Sequence, residues 1–259
     1  MKINVIYNKH IPNYTTILSE VESQLIKNKI EFKSFELESM ENFGEISLVI
    51  GGDGTLLKSA RFYSKWQIPV MGINIGRLGF LSQQASVTEV IENVINKNYY
   101  TEERMLLSAN NKLALNDFVI KGRDSSRTSK IFLEINGKDV CDYIADGLII
   151  STPTGSTAYG LSAGGPVLYP TLDAIAIVPI CPHTLNARPL VIPSTEIITV
   201  RTGDNLLSIS IDGRETTKCV EKIVIKSAPQ KAILAFLKEG RFYSVLRNKL
   251  HWGIPPKSN

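Results

Sequence analysis

Up to about Tyr100, short apolar runs alternate with stretches of helical spacing. Ile3 to Tyr7 reads as a strand, and Ile17, Leu18, Val21, Leu25 and Ile26 then recur on one helical face behind a cap at Asn13. Phe32 to Leu37 reads as a second strand, Ile46 to Ile50 as a buried third and Val70 to Ile73 as a fourth. Leu56 to Ser64 and Thr88 to Asn96 read as helices. Such alternation predicts a mainly parallel sheet with helices on its faces.

After Tyr100 the pattern changes to short β-type runs: Leu113 to Lys121, Ile131 to Ile135, Leu148 to Ser151, Ala174 to Ile180, Ile197 to Arg201, Leu206 to Ile211 and Lys222 to Ile225. Asn136-Gly137 and Asp212-Gly213 suit tight turns between such runs. A second, mostly β domain is therefore predicted over 102–229, following an α/β domain over 1–101. The last stretch, Ala232 to Trp252, returns to longer apolar spacing, with Phe242, Val245, Leu246, Lys249 and Leu250 predicting a terminal helix that packs back on the first domain, so that about 230–259 completes it.

Hydrophobic residues make up 43% of the 259 and charged residues 21%, a balance that supports a sizeable core. The net charge of +4 is spread along the chain instead of forming a basic arm, which suits an anionic small molecule and gives no nucleic-acid motif. Cys141, Cys181 and Cys219 lack CxxC or zinc-type spacing. A reducing, cytoplasmic setting is expected, since no stretch reads as a signal peptide or a membrane span. His10, His183 and His251 are scattered, so no metal site held by the protein alone is expected. Only His183 is worth testing near a ligand.

Gly51-Gly52-Asp53-Gly54-Thr55 stands directly after Leu48-Val49-Ile50 and before a helical pattern. At such a strand-to-helix turn, glycines admit a phosphate close to the backbone, and the helix offers unpaired N–H groups to an anion. Asp53 would repel phosphate unless it accepts a proton from an attacking hydroxyl or meets a phosphate-bound magnesium; the plainer reading is a turn aspartate capping the helix. Gly72 to Phe80 supplies further glycines and Arg77 at a comparable turn, or is merely a tight loop with Phe80 in the core. Gly52, Lys58 and Arg77 are phosphate candidates, exposed surface cations being the commoner role of such side chains. Neither GxxxxGK[ST] nor GxGxxG is present, which disfavours P-loop and hydride-transfer chemistry.

The run Asp146 to Pro166 gathers hydroxyls, glycines and Tyr159 after a strand, a composition that can bond a nucleotide's ribose while Tyr159 stacks on a base. Gly160-Leu161-Ser162-Ala163-Gly164 within it also fits the GxSxG pattern of serine hydrolases, with Asp173 and His183 downstream. The polar, proline-broken residues before Ser162 speak against that elbow, which needs a buried strand there.

GGDGT at Gly51 to Thr55, Asn116-Asp117, the run from Asp146 to Pro166, PICPHTL from Pro179 and RPLVIP from Arg188 together resemble the bacterial NAD kinase family in order and spacing. GGDG alone is shared with phosphofructokinase and diacylglycerol kinase relatives; the hydroxyl-rich run is more specific. The resemblance implies a Rossmann-like α/β domain and a carboxy-terminal β-sandwich domain, an NAD site in the crevice between them, and a homodimer or homotetramer. It implies phosphorylation of NAD at the 2′-hydroxyl of its adenosine ribose, with ATP, another triphosphate or polyphosphate as donor and Mg²⁺ carried with the donor. Asp53 matches the family's catalytic base. Asn116 and Asp117 match an Asn-acid pair that contacts the dinucleotide, where the acid is often the longer Glu. Asp146, Thr154, Thr157, Ala158, Tyr159 and Ser162 fall on positions lining the NAD or NADP pocket, with Gly54 and Phe80 adjoining it.

Overall fold

The computed structural model describes residues 1–73, 79–122, 128–184, 186–202, 207–213 and 215–252. The first part of the chain runs β1 (Lys2–Tyr7), α1 (Tyr14–Lys27), β2 (Glu31–Glu36), β3 (Ile46–Ile50), α2 (Asp53–Tyr63), β4 (Val70–Ile73), α3 (Val87–Ile95) and β5 (Tyr100–Arg104). Then come β6 (Leu107–Ala109), β7 (Lys112–Ala114), β8 (Asp117–Gly122), β9 (Ser129–Ile135), β10 (Lys138–Ala145), β11 (Gly147–Ser151) and α4 (Tyr159–Ser162). The remainder is β12 (Ala174–Ile180), β13 (Leu190–Pro193), β14 (Ile198–Thr202), β15 (Leu207–Ile211), β16 (Glu215–Val220), β17 (Lys222–Ser227), β18 (Ala232–Phe236) and α5 (Arg241–Leu250). These elements form two compact units, Met1–Glu103 with Ala232–Asn259, and Arg104–Lys231.

The first unit is built on a sheet ordered β2-β1-β3-β4-β18-β5, with β1, β2, β3, β4 and β18 joined by parallel pairings. Every residue of β3 is buried, as a strand covered on both faces must be. Leu48, Ile50, Met71 and Ile73 pack with Val21 and Leu25 of α1 and with Val90, Ile91 and Val94 of α3. Val49 and Gly72, of opposite parity, belong to the other face, where α2 packs on β3, β4 and β18. A Cβ on Gly72 would lie 2.6 Å from a Leu56 methyl, so the glycine lets α2 close on the sheet. Asn4 is wholly buried yet satisfied, donating to Ser47 Oγ at 3.0 Å and accepting from the amides of Phe43 and Gly44.

Two differences from the pattern reading arise here. The terminal helix expected around Phe242 to Leu250 is present as α5, but the apolar residues before it, AILAF at 232–236, form the strand β18, to which the pattern assigns no element. A five-residue apolar run suits a buried strand as well as a buried helix turn, and the parallel slot beside β4 decides it. Asn13 does occupy the N-cap position of α1, but with φ 60° and no side-chain capping bond.

The second unit contains two antiparallel sheets, β10-β9-β14-β17-β6-β7 and β13-β12-β11-β8-β15-β16. One core joins them: Leu107, Ile131, Leu133, Val200 and Ile223 from the first meet Phe118, Ile120, Leu148, Ile150, Ile177 and Ile209 from the second. The turns Asn136-Gly137 and Asp212-Gly213 have positive φ at both residues; the first is the whole loop of a two-residue hairpin between Ile135 and Lys138, whereas the second lies in a three-residue connection between Ile211 and Glu215. Because side chains alternate along β8, Phe118 and Ile120 fill the core while Asp117, Val119 and Lys121 share the opposite face. Part of that outer face is apolar, with Val119, Ile149, Ala176 and Val178 covered by Ala163 and Leu168. The polar remainder forms the second unit's candidate site.

Candidate functional site

In the first unit the chain leaves β1 towards β2 on one side and leaves β3 towards β4 on the other. The loops at the carboxyl ends of β1 and β3 therefore part, and in open parallel sheets ligands gather at such a switch point. Asn8, just beyond β1, donates to Thr55 Oγ1 at 3.3 Å across it. Gly52 is the N-cap of α2 and a Cβ there would meet nothing within 4 Å, so this helix N-terminus faces open space. Gly54 follows in the first turn of α2.

Asp53, the first residue of α2, is held by the loop after β4. Its Oδ2 accepts from the Phe80 amide at 2.8 Å, and its Oδ1 accepts from the amides of Leu81 and Ser82 at 3.3 Å each. A carboxylate has about four acceptor positions, so Oδ2 retains one for an incoming hydroxyl. Gly79 makes this approach possible, since a Cβ there would fall 1.9 Å from Asp53 Oδ1. Phe80 is thus placed beside Asp53 by its backbone. Lys58 is differently engaged: its Nζ is hydrogen-bonded to Glu38, which holds the Glu38 carboxyl below its ordinary range. Arg77 lies outside the described residues.

In the second unit a cavity of about 460 Å³ opens on the outer sheet face, bounded by Asn116, Asp117 and Lys121 on the β8 side, Ser208, Ser210 and Asp212 on the β15 side, and Ala158 and Tyr159. Tyr159 is 40% exposed, and Lys121 Nζ lies 5.9 Å from its ring centroid. The pocket therefore offers an aromatic face, a cation, acids and small hydroxyls, a set suited to a nucleotide.

Other residues of the hydroxyl-rich run are spent on holding the loop in place. Thr152 Oγ1 donates to Leu115 O at 2.5 Å, Ser156 Oγ donates to Pro153 O at 2.7 Å and accepts from Leu168 N at 2.9 Å, and Thr157 Oγ1 donates to Thr154 O at 3.3 Å. Thr154, 6% exposed, accepts from Arg104 Nη1 at 3.3 Å through its own hydroxyl. Thr154 and Thr157 are not among the residues that bound this cavity, and Ser162 ends α4 in an exposed position. No strand leads into Ser162, which removes the geometric basis of the hydrolase reading. Asp146 is exposed at the start of β11, whereas Ser151 at the other end of that strand pairs with Asp117; Asp146 does not border this cavity. His183 is also exposed.

Asp212 is the residue the sequence reading missed. One of its oxygens accepts from the amides of Asn116 at 2.8 Å and Asp117 at 3.1 Å, and the other from Leu115 at 3.1 Å. It fixes the backbone from which the Asn116-Asp117 pair projects. Asp212→Ala is expected to cost about 2–4 kcal/mol, because three part-buried amides lose a charged acceptor, and to weaken ligand binding in the pocket beside it. Thermal melts and binding titrations check both.

Asp117 is 2% exposed, and burial, then the charge of Asp212, push its carboxyl up to about 7. The ordinary value is 3.8, so between roughly pH 4 and 7 the folded protein holds a proton that the unfolded chain releases. The resulting stability is complete below about pH 4 and lost as pH rises through 7. Asp117→Asn is therefore expected to melt several degrees above the wild type at pH 8, with the gain vanishing at pH 4. Calorimetric melts across that range measure it.

Comparison with known proteins agrees on one family. Residues 4–99 match the ATP-NAD kinase N-terminal domain and residues 115–235 the ATP-NAD kinase C-terminal domain. The chain belongs to the NAD kinase family. An NAD kinase of Clostridium tetani is 39% identical over 246 residues, covering 90% of this chain and 88% of that one. An NAD kinase of Flavobacterium johnsoniae is 40% identical over 248 residues, covering 90% and 84%. The crystal structure of an NAD kinase from Archaeoglobus fulgidus in complex with ATP superposes with a TM-score of 0.82 at 27% identity, covering 97% of this chain and 99% of that one. A yeast NADH kinase complexed with NADH shares the fold, with a TM-score of 0.87 at 22% identity, covering 100% and 90%. In family terms, Asp53 and Phe80 lie in the N-terminal NAD kinase domain, and the Asp117 and Tyr159 pocket in the C-terminal one.

Proposed function

We propose that this NAD kinase family member transfers the terminal phosphoryl group of ATP to the 2′-hydroxyl of the adenosine ribose of NAD, giving NADP. The observation that carries the reading is Asp53: a carboxylate fixed by three backbone amides at a glycine-lined helix N-terminus, with one acceptor position left over. That position receives the hydrogen of the ribose hydroxyl. As its oxygen attacks the terminal phosphorus, the proton passes to Asp53, the new O–P bond forms and the bond to the ADP oxygen breaks. Catalysis here is positioning and charge neutralisation, and no covalent intermediate on the protein is needed.

The glycine turn at Gly51 and Gly52 admits the donor phosphates to the N–H groups of α2. Among the described residues no group of three or more His, Cys, Asp or Glu gathers to hold a metal. Magnesium commonly keeps several waters and is bound largely through substrate phosphates, which suits arrival with the donor, since Asp53's one remaining acceptor position is taken by the ribose hydroxyl. Bound with the donor, it would neutralise phosphate charge. In the second unit, Tyr159 stacks on a base of the dinucleotide, Asn116 and Asp117 bond its sugar hydroxyls, and Lys121 faces its phosphates.

We also assign the protein to the cytoplasm as a homodimer or homotetramer, on the family resemblance and on cysteines without disulfide spacing; among the described residues no helix is long and apolar enough to cross a membrane. Incubation with NAD, ATP and magnesium, followed by an NADP-specific cycling assay, tests the activity, with NADH and polyphosphate offered in parallel. NADP formed only when both substrates are present supports the reading, and its absence over a range of donors overturns it.

A further inference from the structure

α5 lies against the loop that carries Asp53's hydrogen-bond donors, and it does so along one stripe. Arg241, Val245 and Lys249 recur at intervals of four, which places them on a common face of the helix. At one end, Arg241 donates to the carbonyls of Phe80 and Ser82, and its guanidinium sits 4.6 Å from the Phe236 ring centroid. In the middle, Val245 is 4% exposed. At the other end, Lys249 Nζ stands 4.8 Å from the Phe80 ring centroid and 3.8 Å from Asp53 Oδ2.

That oxygen is the one with an acceptor position to spare. At 3.8 Å the ammonium is paired with it by charge but makes no hydrogen bond to it, so its N–H donors remain for another acceptor. We infer that Lys249 is a catalytic residue, the cation that binds the oxygens of the phosphoryl group in flight. The inference rests on the kinase reading above. A hydroxyl held by Asp53 Oδ2 brings the phosphorus it attacks into the neighbourhood of Nζ, which stands 3.8 Å from the same oxygen on a flexible stem.

Among the described residues, other cations near these strand ends are engaged. Lys9 pairs with Glu36 at 2.8 Å, Lys58 with Glu38, and Arg241 with the two loop carbonyls. The Phe80 ring beneath Lys249 steadies a charge that would otherwise be swept by solvent, since Lys249's side chain is 38% exposed. The simpler account is a lysine in the last turn of α5 that complements the helix dipole. A role confined to the dipole affects folding, not turnover, and the two are separable.

The test compares the full-length wild type with Lys249→Met, which keeps the aliphatic stem over Phe80, and with Lys249→Arg. Steady-state kinetics with NAD and MgATP and a thermal melt are measured on each. Lys249→Met is expected to lower kcat by roughly 10²- to 10³-fold, the usual loss when one donor to a developing charge is removed, with KM for NAD within about threefold and the melt nearly unchanged. Lys249→Arg should recover at least about tenfold of that loss by restoring the charge. A kcat for Lys249→Met within about threefold of wild type overturns the inference, as does a fall in kcat that Arg does not relieve. If the wild type makes no NADP, it is the kinase reading that fails; an active wild type with an equally active Lys249→Met removes only the role of Lys249.

Discussion

Asp53→Asn is expected to lower kcat for NADP formation by roughly 10²- to 10⁴-fold, the range for loss of a positioned base. The same substitution has a structural cost that the geometry makes explicit. Asn has one carbonyl oxygen to offer three loop amides, so its NH2 group faces an N–H that Asp53 accepts now. Losing one charge-assisted bond costs about 1–3 kcal/mol, which for a chain of this length lowers the melting temperature by a few degrees. The protein should therefore fold, melt slightly early and turn over very slowly. Kinetics below the melt, with circular dichroism on the same sample, separate the two effects; near-normal turnover would remove Asp53 from the chemistry.

Gly79→Ala is expected to be nearly as damaging, although residue 79 has no functional group. Its added Cβ would lie 1.9 Å from Asp53 Oδ1 and 2.4 Å from Cγ, so the loop and the carboxylate cannot keep their present places. The glycine is required for close approach, not for an unusual backbone angle. Displacing Asp53 by about 1 Å typically costs 10²-fold in rate, and weakening its amide bonds adds about 2–5 kcal/mol of instability. A double mutant with Asp53→Asn should be little worse in kcat than the worse single mutant, because both act on one contact. Additive losses would show that Gly79 acts elsewhere.

What could be read from the sequence was what lies close together along it. The strand, glycine turn and helix around Asp53 occupy consecutive residues, so the pattern of Leu48 to Ser64 reports them directly. Similarly, Asn136-Gly137 and Asp212-Gly213 carry their turn chemistry within two residues. Where burial is partial the signal fades: in β10 only Tyr143 and Ala145 are buried, and its charged positions conceal a strand. β18 carries apolar residues that suit either kind of element until β4 offers an edge to pair with.

The site residues divide along the same line. Asp53 and Tyr159 announce themselves through their neighbours. Asp212 acts on amides some 95 residues away and reads locally only as a turn aspartate. Lys249 stands beside Asp53 only because α5 is fastened over the Phe80 loop by Arg241. The hydroxyl-rich run divides its work: Ala158 and Tyr159 line the cavity, while Thr152, Thr154 and Ser156 turn their oxygens to Leu115, Arg104, Pro153 and Leu168. A hydroxyl is equally good at both tasks, and only tertiary contacts decide which one it performs.

The central claim, that the phosphoryl group goes to the adenosine 2′-hydroxyl, is tested most directly with γ-labelled ATP and two NAD analogues lacking one hydroxyl each on the adenosine ribose. The 3′-deoxy analogue should acquire label, while the 2′-deoxy analogue should compete with NAD but remain unlabelled. Label appearing in the 2′-deoxy analogue would contradict the account.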